Sequence, residues 1–281
     1  MAEDKGDIAG QAPDVEDYAH RLYLSDLLRG RAVLAAIRAL RLPSGSWGLD
    51  AGCGIGSHTL LLAKEVASAG HVTGLDLSPA FLALAGEKAK RAGMAKYVSF
   101  REGDVRSLPF ADDSFDWAWS ADCVGYMPAG PLPLLKELAR VVKPGGIIAI
   151  LAWSSQQLLP GYPLLEAKLN ATAQGLAPFA AGRAPESHFL RALGWFRDAD
   201  LEEPSARTFV GEIHAPLSDD MRSALISFLD MRWGEPGPEL SRDDRAEYRR
   251  LSRPESEDFI LDLPGYYAFF TYSMFSGRVA R

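Results

Sequence analysis

Hydrophobic positions recur along this chain in two alternating rhythms. Residues 1–13 are polar and rich in Gly, Ala and Asp, a composition that predicts disorder. Over 14–41, Leu22, Leu24, Leu27, Leu28, Val33, Leu34, Ile37 and Leu40 form an apolar stripe at helical spacing among charged residues. Pro43-Ser44-Gly45-Ser46 interrupts it. Short apolar runs over 47–50, 71–75, 97–101, 115–120 and 147–153 then predict strands. Between them, 57–68 reads as a helix closed by Gly70. A second helix opens on Ser78 as N-cap with Pro79 in its first turn and closes at Gly93. A third spans 132–142, and Pro144-Gly145-Gly146 turns the chain into the next strand. This βαβα rhythm predicts an α/β fold, a mostly parallel sheet with helices on both faces.

Beyond Trp153 the rhythm changes. Helices are predicted over 164–172, 186–196 and the highly charged 219–251, and strands over 206–215 and the aromatic 266–279. No internal repeat is present. The division implied is a tail (1–13), N-terminal lid helices (14–45), a core (46–153), and an end of the sheet with helical insertions (154–281).

Composition narrows the function classes. The 281 residues are 47% hydrophobic with a net charge of −7, which disfavours a broad nucleic-acid surface. Two cysteines, Cys53 and Cys123, make neither a disulfide framework nor a zinc spacing. No signal peptide or membrane-spanning run stands out, so a cytoplasmic protein is expected.

Three motifs follow predicted strands. Asp50-Ala51-Gly52-Cys53-Gly54-Ile55-Gly56 is a Gly-x-Gly-x-Gly turn, which lets the backbone bend sharply and approach a ligand. A nicotinamide-binding turn has a different spacing, Gly-x-Gly-x-x-Gly. Asp76, about 20 residues on, ends the second strand, where a carboxylate can accept from both hydroxyls of a ribose. Gly103-Asp104-Val105 follows the third strand at the same sheet edge, where ligands of open α/β sheets bind.

With Leu108-Pro109-Phe110, Phe115-Asp116 and the run from Glu137 to Gly146, these motifs make residues 48–153 resemble the class I S-adenosylmethionine (SAM)-dependent methyltransferases. The resemblance is strongest to the ubiquinone/menaquinone-type branch that methylates small molecules. It implies a Rossmann-like, seven-stranded sheet ending in an antiparallel hairpin, and SAM as cofactor with S-adenosylhomocysteine as product. It also implies roles. Gly52, Cys53 and Gly54 pass under the methionine and ribose, and Asp50 positions that loop. Asp76 takes the ribose hydroxyls and Leu77 packs on adenine. Asp104 meets the adenine amine, with the Val105 backbone beside it, and Ser120 faces the methionine amine.

Methyl transfer needs alignment, exclusion of water and, for a protonated acceptor, a base. Asp122, Tyr126 and His20 are the candidate bases. Tyr18 and Tyr23 on the lid, and Trp153 with the later aromatics, are candidate contacts to a hydrophobic or aromatic small molecule. No metal site is expected, and a monomer or homodimer is. The site after the fourth strand, Ser120-Ala121-Asp122-Cys123, lacks the Asn/Asp-Pro-Pro-aromatic run of amino-methylating DNA enzymes. The rival reading is a SAM-binding protein that transfers no methyl group.

Overall fold

A computed structural model describes residues 15–66, 69–124, 130–176 and 185–280. The tail expected over 1–13 and Tyr126 lie outside the described residues.

Seven strands form one sheet in the order β3-β2-β1-β4-β5-β7-β6. They are β1 (Trp47–Ala51), β2 (His71–Asp76), β3 (Val98–Glu102), β4 (Phe115–Ala121), β5 (Val142–Gln157), β6 (Leu201–His214) and β7 (Tyr267–Val279). The first five pair in parallel; β7 runs antiparallel to both β5 and β6. The centre of β4 is buried on both faces, as a strand sandwiched between helices requires. Trp117 and Trp119 point to one face and Ala118 to the other.

On the tryptophan face lie α1 (Val15–Ala39), α2 (Ser57–Val66), α3 (Pro79–Arg91) and α8 (Asp219–Trp233). On the opposite face lie α4 (Leu132–Val141) and α7 (Ala192–Asp198). The remaining helices, α5 (Pro163–Asn170), the single turn α6 (Ala173–Leu176) and α9 (Arg242–Ser252), belong to the second half. Ser78 caps α3, accepting from the Phe81 amide, with Pro79 in the first turn.

The N-terminal segment expected to hold several helices is one continuous helix of 25 residues, α1. Leu24, Leu28, Ala32, Val33, Ala36 and Ile37 are buried along it. Each larger apolar side chain contributes about 1.5–3 kcal/mol on burial. That outweighs the exposed Arg21–Asp230 and Arg38–Glu65 pairs, worth at most about 1 kcal/mol each. Burial therefore fixes α1 across the sheet edge.

Two other expectations are corrected. The helix foreseen over 186–196 is a pair of 3₁₀ turns (Pro185–Ser187 and Phe189–Arg191) leading into α7. The helix over 219–251 is split into α8 and α9, because Gly234 takes a positive φ of 50° and Pro236 and Pro238 follow it.

Candidate active site

Strand order reverses between β1 and β4, so the crevice at their carboxyl ends is the place where such a sheet binds ligands. The glycine loop lies there. Gly52 has φ of 80°, and a Cβ on it would stand 3.0 Å from Cys123 Sγ. Gly56 has φ of 75°, and its Cβ would meet that of Ala85 at 2.7 Å. Glycine is therefore required at both positions. The Gly52 and Cys53 amides both donate to the Leu75 carbonyl, at 2.8 and 2.9 Å, which ties the loop to β2.

Asp76 closes the loop from the other side. One carboxylate oxygen accepts from the Gly54 amide at 2.8 Å and the other from the Ser78 amide at 3.0 Å. A carboxylate has about four acceptor positions, so both oxygens keep capacity for a ligand. Beneath the loop, buried Asp50 accepts from the Thr59 hydroxyl at 2.6 Å. Burial, helped by the Asp76 charge and opposed by Thr59, lifts its carboxyl to about 7.

Two cavities meet at this edge. One, of about 270 Å³, lies between the loop and α1 and is lined by Gly52, Cys53, Gly54, Asp76, His58 and Phe81. The other, of about 430 Å³, is largely apolar and is lined by Leu28, Trp153, Phe228, Met231, Arg232 and Tyr272. Tyr18, Leu22, Arg29 and Asp122 line both.

The shared wall is charged. Arg29 donates to Asp26 Oδ1 through Nε at 2.9 Å and Nη2 at 2.7 Å, and to Asp122 Oδ2 through Nη1 at 2.7 Å. Asp122 has φ of 49° just past β4. Its Oδ1 accepts from the Trp153 amide at 3.1 Å and its Oδ2 from the Tyr272 hydroxyl at 3.3 Å. Burial raises its carboxyl above the usual range, against the opposing pull of Arg29, the Trp153 amide and Tyr272.

The structure places the remaining candidates as follows. Tyr18 lines both cavities and stacks on Phe81 at 5.7 Å. His20 lines a separate cleft with Asp17, Arg21 and Asp230, and exposed Tyr23 stacks on His20. Neither lines the two joined cavities. On a helix, positions 18, 22, 26 and 29 share a face, and 20 and 23 turn away from it. Trp153 lies in the apolar cavity, 4.6 Å from Phe228 and 4.7 Å from Phe270 between ring centroids.

Leu77 is 62% exposed beside Asp76, and Val105 is buried. The Asp104 carboxylate is paired with the Arg106 guanidinium, its shortest contact 2.6 Å. The buried Ser120 hydroxyl donates to the Ala51 carbonyl at 2.7 Å, joining β4 to β1. Burial raises the Cys53 thiol far above its ordinary range and pushes Cys123 up to about 11, so neither is a thiolate nucleophile.

Sequence reasoning passed over Asp26, Arg29, Phe228, Met231 and Arg232. Asp26 and Arg29 carried a signal, an i, i+3 pair of opposite charges inside an apolar helix stripe.

Comparison with known proteins gives a consistent result. A family model described as a methyltransferase domain matches residues 49–150. A demethylmenaquinone methyltransferase of Lactobacillus johnsonii is 36% identical over 117 residues, 42% of this chain and 48% of that protein. A 2-phytyl-1,4-naphtoquinone methyltransferase of Synechococcus elongatus is 33% identical over 174 residues, 52% of this chain and 74% of that protein. Among solved structures, the YcgJ protein of Bacillus subtilis superposes with a TM-score of 0.54 at 18% identity. That match covers 90% of this chain and 99% of the other. A Haloferax volcanii chain solved with the Trm112 methyltransferase activator gives 0.57 at 20%, covering 95% and 96%. At these identities the two structures establish the fold alone.

Proposed function

This chain belongs to the class I SAM-dependent methyltransferases, and from that membership we propose that it methylates a small, largely apolar aromatic acceptor of quinol-like chemistry, with Asp122 as the base. Support comes from the relatives, one named for demethylmenaquinone and one for 2-phytyl-1,4-naphtoquinone. The apolar cavity walled by Trp153, Phe228 and Tyr272 adds to it, being suited to a flat ring.

The residues of the smaller cavity fit SAM. Its left-handed glycine turn admits a ligand close to the backbone, and Asp76 keeps acceptor capacity for ribose hydroxyls. Beyond the cavity's lining residues, Leu77 next to Asp76 offers an exposed apolar surface to adenine. Acidic side chains outnumber the single guanidinium among its lining residues, which favours a cationic sulfonium. Asp104 reaches an adenine amine once Arg106 yields, and Ser120 acts through Ala51. When bound, SAM supplies a methyl group already activated for displacement.

The protein's own groups do the rest. Asp122 sits on the wall common to both cavities and takes the proton of the acceptor's hydroxyl on one carboxylate oxygen. That leaves the electron pair on the acceptor's oxygen and conjugated ring. The Trp153 amide and Tyr272 hydroxyl hold the carboxylate in place. Trp153 orients the ring, Phe228 adds apolar contact that binds it, and α1 with α8 excludes water. In this reading α1 is the lid, 46–153 the cofactor core, and 154–281 the acceptor half.

The one observation that carries the reading is the junction of the two cavities at Asp122. Its test uses SAM carrying an isotopic methyl label, the purified chain and a panel of reduced naphthoquinones and benzoquinones, read by mass spectrometry. Label in a quinol product is expected with the natural chain and is absent with Asp76→Ala. No label in any member, although calorimetry shows SAM bound, would remove this acceptor class.

A further inference from the structure

The amino-acid end of SAM is a zwitterion, so a protein that reads it needs a cation and an anion held close together. The cofactor cavity contains such a pair, and it comes from α1 rather than from the glycine loop. Arg29 uses three of its guanidinium hydrogens on Asp26 and Asp122. A guanidinium has five N–H donors, so two remain, and Arg29 lines the cavity. Asp26 spends Oδ1 on Arg29, while Oδ2 is buried without a well-formed hydrogen bond. The neighbouring Ser57 hydroxyl accepts from Lys88 Nζ at 2.6 Å and keeps its own hydrogen for the Asp26 carboxylate, which retains further acceptor capacity. Across the cavity, His58 near the N-terminus of α2 is buried with Nε2 lacking a partner. Buried polar atoms rarely stay unsatisfied, so His58 Nε2, without a partner among the described residues, and the acceptor capacity left on Asp26 beside one guanidinium mark a place for a polar ligand group.

We infer that Asp26 and Arg29 form a clamp for the amino-acid end of SAM: Asp26 Oδ2 accepts from its ammonium, and the spare Arg29 donors, with His58 beside them, hold its carboxylate. The assignment rests on SAM as cofactor and is independent of the acceptor. It makes α1 part of the cofactor site as well as its cover. It also joins that site to the proposed base, since the same guanidinium holds Asp122.

The test is calorimetric binding of S-adenosylhomocysteine, its decarboxylated analogue and 5′-methylthioadenosine, which lacks the amino-acid end. The natural chain should lose about tenfold or more in affinity when the carboxylate is removed, and more again with methylthioadenosine. Asp26→Asn should weaken S-adenosylhomocysteine about tenfold while leaving methylthioadenosine within about twofold. Arg29→Lys, which keeps the charge and loses the fork, should shrink the penalty for removing the carboxylate. Equal losses for all three ligands would show a merely structural role and overturn the clamp. So would a natural chain that binds the truncated ligands as tightly as the intact one, a result that needs no variant to fold. If the natural chain bound none of the three, the clamp and the cofactor assignment would fall together, whereas failure of the quinol panel leaves both standing.

Discussion

Arg29 on α1 and Asp122 at the end of β4, 93 positions apart in the chain, meet in a charged hydrogen bond of 2.7 Å. The bond crosses the line where the two cavities beside the glycine loop join. It sets the Asp122 carboxylate between the two, with Trp153 and Tyr272 holding its other contacts.

Replacing Asp122 should therefore affect turnover and spare cofactor binding. Asp122→Asn is expected to lower kcat by about 100-fold or more, with S-adenosylhomocysteine affinity within about twofold of the natural chain. The natural enzyme should also lose activity in acid as Asp122 takes up a proton, at a pH above the usual carboxylate range because burial raises this group. A variant that kept both the rate and the acid limb would remove Asp122 from the chemistry.

Asp76 ties Gly54 and Ser78 together and faces the cofactor cavity. Asp76→Asn keeps the shape but halves the acceptor capacity. Equilibrium titration should show S-adenosylhomocysteine binding weakened by roughly 10- to 100-fold. Unchanged affinity would place the ribose elsewhere.

Phe228 presents its ring to Trp153 from α8 and lines the larger, apolar cavity. Phe228→Leu is expected to raise the acceptor's KM severalfold and leave both kcat and cofactor affinity nearly unchanged, the signature of lost uniform binding. Steady-state kinetics at saturating cofactor decide it; a fall in kcat at constant KM would contradict it.

The folded chain holds the Asp50 carboxyl at about 7 against an ordinary 3.8. The native state thus keeps a proton that the unfolded chain releases between those values. This group's contribution to stability is greatest below about 4 and declines as pH rises toward about 7. Asp50→Asn is neutral at every pH and still offers Thr59 an acceptor. The Tm of Asp50→Asn minus that of the natural chain should grow from pH 5 to pH 8. A difference that stays constant across the range would show that Asp50 is ionised in the fold.

Much of the frame could be read from the chain because its signals are local. The glycine run, the acid ending β2 and the Ser78-Pro79 cap each depend on residues that are neighbours in sequence. The end of α8 was legible in Gly234-Glu235-Pro236-Gly237-Pro238 and was passed over, because the charged pattern continues on both sides of it. The Ser120 hydroxyl meets the Ala51 carbonyl only once β4 and β1 are registered, whereas the Asp104–Arg106 pair, two positions apart, is local and was passed over. His20 and Tyr23 were drawn into the site by residue type, although a helical wheel turns them away from positions 22, 26 and 29. Arg29 was passed over because its partner Asp122 reaches it only through the fold.

β5 does not stop where its parallel neighbours do. Past an irregularity between Trp153 and Ser155 it continues to Gln157, paired with Phe269–Tyr272 of β7. The floor of the acceptor cavity, Trp153 and Tyr272, is thus woven into the sheet, while Phe228 and Met231 hang over it from a separate helix. The two sides of that cavity therefore answer to different elements, one fixed by strand pairing and the other carried on α8, so side chains along one face of α8 can change without disturbing the ladder beneath.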